Sequence, residues 1–193
     1  MSTFQPQEFL GRRNKSVLIR SIEASDVKTV KEFLRQVAQE TNHTLQYIGR
    51  ELPTDEVYAK RFEDSNSDPL VLHLGAFDDE RLVAYLCIRP TNADHPWARH
   101  IATFGMMVLK DYWGQGIGSR FLTIQDEFAR SAGFLRIEAQ VRTNNDRGVQ
   151  LYKRMGYAIE GTRKSAALIE GQLIDEYFIA RLLDKTERPN HHF

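Results

Sequence analysis

The run Val108-Leu109-Lys110-Asp111-Tyr112-Trp113-Gly114-Gln115-Gly116-Ile117-Gly118-Ser119 decides the fold. An apolar stretch ends, glycines take alternate positions at Gly114, Gly116 and Gly118, and an amphipathic pattern begins at once. Ile117, Phe121, Ile124 and Phe128, with Leu122 beside them, recur at helical spacing and make one apolar face. A strand feeding a glycine turn at a helix N-terminus presents several free backbone N–H groups at one point, and the helix dipole adds partial positive charge. Such a place suits a phosphate or pyrophosphate, and glycine lets the backbone approach the anion with no side chain between. The expectation is a phosphorylated cofactor held by backbone amides.

Working outward, the 193 residues suffice for one domain with a real core, and 41% apolar with 27% charged residues is a soluble globular composition. Lys plus Arg equals Asp plus Glu at 26 each, so no global basic field argues for nucleic acid or an anionic membrane. The single cysteine, Cys87, excludes an internal disulfide framework and fits a reducing compartment. It lies within Leu82-Val83-Ala84-Tyr85-Leu86-Cys87-Ile88 and reads as a structural thiol rather than a nucleophile. No apolar run approaches the roughly 20 residues of a membrane span. Met1-Ser2-Thr3-Phe4-Gln5-Pro6 lacks the apolar core of a secretory signal, so a cytoplasmic location is expected.

The pattern predicts a flexible N-terminal arm over 1–16, a domain over 17–183 and a C-terminal tail over 184–193. Val17 to Ile22 read as a strand. Ser25 or Asp26 caps a helix with Val27, Val30, Leu34 and Val37 on its apolar face. Thr41 to Pro53 is irregular, and Thr54 to about Phe62 reads as a short polar helix. Leu70 to Phe77 and Leu82 to Ile88 form a hairpin around Asp78-Asp79-Glu80-Arg81, and His100 to Leu109 is the strand before the glycine turn. The helix after the turn ends near Gly133, a C-cap. Ile137, Ala139 and Val141 alternate in a strand. Asn144-Asn145-Asp146 opens a helix with Leu151 and Met155 on one face and Gly156 at its end. Tyr157 to Ile169 and Gln172 to Leu183 pair around Glu170-Gly171. Helices alternating with strands in the centre and hairpins at both sides predict a mixed α/β sheet.

Two motifs in this order resemble the GCN5-related N-acetyltransferase (GNAT) superfamily over about residues 17 to 183. The first is the strand, turn and helix around Gly114-Gln115-Gly116-Ile117-Gly118. The second is Asn145-Asp146-Arg147-Gly148-Val149-Gln150-Leu151-Tyr152-Lys153-Arg154-Met155-Gly156-Tyr157, with its Asn, its Leu-Tyr, and its Gly and aromatic. Each alone is weak; both, about 30 residues apart, are strong. The tail Glu160-Gly161, Glu170-Gly171-Gln172 and Asp175-Glu176-Tyr177 also resembles many bacterial members. Three departures stand out. Trp113 occupies the place of an Arg or Gln, Gly148 stands where many members have Ala, and Phe104-Gly105-Met106-Met107 lacks a strand glutamate found in some relatives.

The resemblance implies an acyl-CoA N-acyltransferase fold with a central splayed strand pair, and acetyl transfer from acetyl-CoA, as co-substrate, to an amine by direct attack. It implies that Gly114, Gln115, Gly116, Ile117, Gly118 and Ser119 hold the pyrophosphate. The backbone of Met106, Met107 and Val108 receives the pantetheine arm and polarises the thioester carbonyl. Asn145 contacts pantetheine or orders water, beside its plain role as a helix cap. Tyr152 is the acid that protonates or hydrogen-bonds the departing thiolate; the plain alternative is a packed ring. With no strand glutamate, Glu40, Glu51, Glu138 and Asp175 are candidate bases through water, each also readable as an ordinary surface or ion-paired carboxylate. His100 opens its strand about eight residues from Val108, up to roughly 26 Å away, and reads as structural.

The acceptor is a small-molecule or protein amine, with loops near 40–62, 90–100 and 166–174 as its surroundings. Neutral charge does not choose among amino acids, polyamines, aminoglycoside-like drugs and protein N-termini. The 166–174 region borders the acceptor pocket or a homodimer contact in the family, and is otherwise a solvated hairpin. The six histidines show no metal spacing, so no metal site is expected. A non-catalytic acyl-CoA sensor is the alternative function. A dinucleotide enzyme, with Glu138 as a ribose-binding acid about 20 residues after the loop, ranks behind it because Ser119 stands where the final glycine belongs. A Walker loop is absent, since no Gly-Lys-Ser/Thr follows.

Overall fold

From β2 onward, alternating apolar positions make the strands and helical-period positions make the helices, in the order that the sequence predicts. The structure, a computed structural model, describes residues 4–183. Its elements are β1 (Gln7–Leu10), β2 (Ser16–Ser21), α1 (Val27–Glu40), α2 (Asp55–Ser67), β3 (Leu72–Asp78), β4 (Arg81–Pro90), β5 (Ile101–Val108), α3 (Ile117–Ser131), β6 (Arg136–Arg142), α4 (Asp146–Arg154), β7 (Ala158–Ile169) and β8 (Gln172–Leu182). The strands form one mixed sheet in the order β1-β2-β3-β4-β5-β6-β8-β7. β5 and β6 run parallel, while β1–β2, β2–β3, β3–β4, β6–β8 and β7–β8 are antiparallel. Contacts divide the chain into two compact units. One holds residues up to Ile88 with Gly105–Phe121; the other holds Arg89–Phe104 and residues from Leu122 on.

In the first unit, β2 turns Val17, Ile19 and Ser21 inward, as period-2 alternation requires. Asp26 lies at the start of α1 and is tied bidentately to Arg20 at 2.7 Å through both oxygens, while also accepting from the Glu23 amide at 2.8 Å. The helix buries Val27, Val30, Phe33, Leu34 and Val37. α2 starts after Thr54, whose side chain caps it, and runs to Ser67 rather than stopping near Phe62 as the sequence predicts. Its last turns are polar and bury nothing beyond Phe62, so no apolar period marks them. The β3–β4 hairpin closes on a two-residue turn, with Asp79 at φ 52°.

One expectation is corrected here. The flexible arm over 1–16 contains β1, which pairs with β2 from Gln7↔Ile19 to Leu10↔Ser16. Backbone pairing holds this four-residue strand, only Phe9 of which is half-buried, so it carries no hydrophobic alternation to read. The tail expected over 184–193 lies outside the described residues.

In the second unit, Phe134 N–H bonds back to Ala129 and Gly133 N–H to Arg130, with Gly133 at φ 82°, which ends α3 as its glycine predicts. β6 buries Ile137 and Val141. The β5–β6 ladder comprises Ile101↔Arg136, Ala102↔Ile137 and Thr103↔Glu138, and both strands continue beyond it. The long β7–β8 hairpin turns at Glu170 (φ 49°) and Gly171 (φ 80°), the pair of positive φ values that a tight two-residue hairpin requires.

Candidate active site

The glycine turn lies in the first unit. β5 is an interior strand, yet Gly105 is exposed and Met106, Met107 and Val108 are half-buried. A Cβ at Gly105 would meet nothing within 4 Å. After the strand, Leu109 N–H bonds to Val83 and a 3-10 turn spans Lys110–Tyr112. The Glu40 carboxylate accepts from Lys110 N–H at 2.7 Å and stabilises the start of that turn. Trp113 donates its indole N–H to the Val108 carbonyl at 2.7 Å. The indole has no other donor, so this side chain ties the strand end to the turn.

Gly114 (φ 77°) and Gly116 (φ 95°) adopt left-handed backbone, and open space surrounds the Gly114 position. The first bond of α3 joins Arg120 N–H to the Gly116 carbonyl at 3.0 Å, so the preceding amides stand at the open end of a 15-residue helix. Ile117 is buried and anchors that end. Residues 113–119 include no cation, so any attraction for an anion from this stretch comes from amides and dipole. An open, amide-lined turn of this kind fits a diphosphate. Gln115, an expected cofactor contact, is 2% exposed, and its side-chain carbonyl accepts from Arg13 N–H at 2.9 Å. Its side chain is therefore committed within the protein.

The second unit holds Tyr152 and Asn145. Tyr152 lies on α4, half-buried, in a triangle of rings with Phe104 (5.7 Å) and Tyr157 (5.8 Å), which also touch each other at 5.6 Å. Edge-to-face contacts fix its ring. Burial alone pushes its hydroxyl up to about 12. Tyr157 is locked by the Gln125 amide at 2.8 Å. Asn145 caps α4, its Oδ1 accepting from Gly148 N–H at 3.0 Å. The plain reading of Asn145 holds, and its Nδ2 group remains as a donor.

Of the four carboxylates proposed as bases, Glu51 is exposed in the irregular stretch before α2 and the other three are engaged. Glu40 also accepts from Gln36 at 2.7 Å. Glu138 pairs with Arg136 at 2.9 Å. Asp175 takes Lys164 at 2.8 Å on one oxygen and Ser165 N–H at 2.8 Å on the other, which holds its carboxyl below the usual range. The His100 main-chain carbonyl accepts from Leu135 and Arg136 N–H. Sequence reasoning missed the Trp113 tie, the Gln115 tie and a His73–Tyr85–Cys87 cluster in which Cys87 Sγ lies 3.7 Å from His73 Nε2. Strand register creates that cluster by placing His73 opposite Cys87. Cys87 is half-buried there. Among the described residues no helix is long and apolar enough to cross a membrane.

Comparison with known proteins adds the family context. The family model described as acetyltransferase (GNAT) family matches residues 34–157. The L-amino acid N-acetyltransferase AaaT of Escherichia coli K12 is 29% identical over 167 residues, covering 86% of this chain and 98% of that protein. The N-alpha-acetyltransferase RimI of Mycobacterium tuberculosis is 33% identical over 109 residues, 56% of this chain and 65% of RimI. An acetyltransferase of the GNAT family from Streptococcus pneumoniae superposes with a TM-score of 0.81 at 30% identity, covering 86% of this chain and 99% of that one. YncA from Salmonella typhimurium, solved with acetyl-CoA, shares the fold at a TM-score of 0.75 and 16% identity, over 90% and 98% of the two chains.

Proposed function

This chain belongs to the acetyltransferase (GNAT) family and is an acetyl-CoA-dependent N-acetyltransferase, and from that premise we propose which of its residues do the work. The amides of Gly114 to Ser119 hold the pyrophosphate. The half-buried backbone of Met106, Met107 and Val108 receives the pantetheine arm, with the Val108 carbonyl already engaged by Trp113. The open glycine turn at the head of α3 carries this reading.

Acetyl-CoA supplies an activated thioester. The neutral amine attacks its carbonyl carbon, the C–N bond forms, the C–S bond breaks, and the proton released from the nitrogen passes to water or to the departing thiolate. The Tyr152 hydroxyl stabilises the departing sulfur. Its pKa near 12 lies about three to four units above a thiol of about 8.5, so it serves as a hydrogen-bond donor rather than a full proton source. The engagement of Glu40, Glu138 and Asp175 supports attack by an amine that arrives neutral or loses its proton to water. The names of AaaT and RimI point to amino acids and protein N-termini as acceptor classes. The reading also includes a cytoplasmic setting, supported by the lone cysteine. It includes a homodimer through β7–β8 as well, where Leu168 and Leu173 face each other in register at 69% and 65% exposure.

The test is calorimetry with acetyl-CoA on the wild type and Gly116→Val, followed by an amine screen read by free thiol. A Val at φ 95°, with Phe9 at 3.4 Å from the new Cβ, obstructs the turn. Binding is expected to weaken severely while the melting transition persists. Equal affinity removes the pyrophosphate from this turn.

A further inference from the structure

Gly114 and Gly116 flank Gln115 with left-handed backbone, and glycine populates left- and right-handed conformations about equally. Such a loop does not by itself fix which way the 115–116 peptide faces. In a trans peptide the carbonyl and the next amide point in opposite directions, and no peptide among the described residues is cis. Whatever holds the Gln115 carbonyl therefore aims the Gly116 amide the other way.

That holder is the N-terminal segment. Arg12 N–H bonds to the Gln115 carbonyl at 3.1 Å and Arg13 N–H to the Gln115 side-chain carbonyl at 2.9 Å. The turn that supplies them is itself closed by Gly11 N–H to the Lys15 carbonyl at 2.8 Å and Asn14 N–H to the Gly11 carbonyl at 3.0 Å. β1 anchors it to β2, and Arg120 in the first turn of α3 reaches back to the Gln7 side chain. The fit is close, since a Cβ on Gly11 would sit 3.1 Å from Gln115 Oε1 and 3.2 Å from its Cβ. An apolar residue would fill the space of Gln115 without burying a polar amide. A buried Gln with both carbonyls paired adds orientation of the peptide plane.

We propose that the segment of residues 7–15, which lies outside the family match at 34–157, is a working part of the diphosphate site. Gln115 is a positioning residue, held by Arg12 and Arg13, that aims the Gly116 amide at the phosphates. This rests on the pyrophosphate assignment above and says what preorganises it. Preorganised amides bind an anion without spending affinity on ordering the loop.

Two variants test it. Gln115→Leu removes the side-chain acceptor, and Arg12→Pro removes the N–H that holds the Gln115 carbonyl. Each is expected to weaken acetyl-CoA about tenfold by calorimetry and to raise its KM alike. The kcat at saturation and the acceptor KM stay at wild-type values. The loss is expected to be equal at low and high salt, because a backbone bond, unlike an exposed cation, is hardly screened. Folding of each variant is checked by its melting transition. If Gln115→Leu, folded, binds within about threefold of wild type, or if the loss on Arg12→Pro disappears in high salt, the positioning role is wrong. If wild type itself fails to bind acetyl-CoA, the pyrophosphate assignment falls and takes this inference with it.

Discussion

Gly148 and Asn145 are matched: a Cβ on Gly148 would lie 2.8 Å from Asn145 Nδ2 and 3.1 Å from the Oδ1 that caps α4. Glycine at this position therefore leaves room for the cap. Gly148→Ala sets two effects against each other, a gain of about 1 kcal/mol in helix propensity and a disturbed cap of similar size. The single variant is expected to be near-neutral or slightly destabilised. In an Asn145→Ala background the same change is expected to stabilise by about 1 kcal/mol. Denaturant unfolding of the four proteins gives the coupling directly. Additive effects would show that Gly148 does not serve the cap.

Trp113→Phe keeps an aromatic ring and deletes the donor to Val108. The expected cost is about 1 kcal/mol of stability, seen as a lower denaturant midpoint at unchanged slope. A rise of a few fold in the acetyl-CoA KM is expected with it, since the turn would no longer be tied to the strand end. The acceptor KM should not move. A midpoint equal to wild type would reduce the indole bond to an incidental contact.

Most of the fold was legible because its signals are local. Val27, Val30, Leu34 and Val37 announce α1, and Gly133 and Gly156 end their helices with φ of 82° and 85°. The turn at Gly114–Gly118 and the cap at Asn145 were read from short patterns for the same reason. What escaped was long-range and polar. Gln115 and Arg13 are 102 positions apart, and nothing periodic links them. β1 has one half-buried side chain and is held by backbone bonds, which no composition records. The end of α2 was lost because a solvated helical turn resembles a loop.

Glu40, Glu138 and Asp175 are each occupied by an amide or a cation. Glu40→Gln, Glu138→Gln and Asp175→Asn are therefore expected to lower kcat/KM by no more than about threefold. In the first variant the side-chain carbonyl can still accept from Lys110 N–H; in Asp175→Asn an exposed pair is lost that contributes little; and in Glu138→Gln a half-buried pair is lost while Glu160 still holds the Arg136 guanidinium. Steady-state kinetics at fixed pH decides the matter. One variant that abolishes turnover with acetyl-CoA binding intact would identify a dedicated base.

The pH profile separates the roles left for Tyr152. With its hydroxyl at about 12, the ring stays protonated and able to donate across the working range. The rate should therefore rise with pH only as the acceptor ammonium loses its proton, at a pKa of about 7.7–8.0 for a protein α-amine and about 10.4 for a lysine-like amine. Tyr85 and Tyr157 are likewise raised by burial, and Tyr112 is raised to about 12. A raised folded pKa means that the native state keeps a proton the unfolded chain loses. Stability from these groups is complete below about pH 10 and declines as pH climbs from there through the folded values. Any fall in rate above that point should track loss of structure by circular dichroism rather than a catalytic titration. Tyr152→Phe is expected to lower kcat roughly 10- to 1,000-fold, to leave acetyl-CoA binding near wild type, and to keep the shape of the ascending limb. If the limb shifts in the variant, Tyr152 takes part in deprotonating the amine. If kcat is unchanged with chemistry rate-limiting, the hydroxyl is only part of the ring cluster with Phe104 and Tyr157.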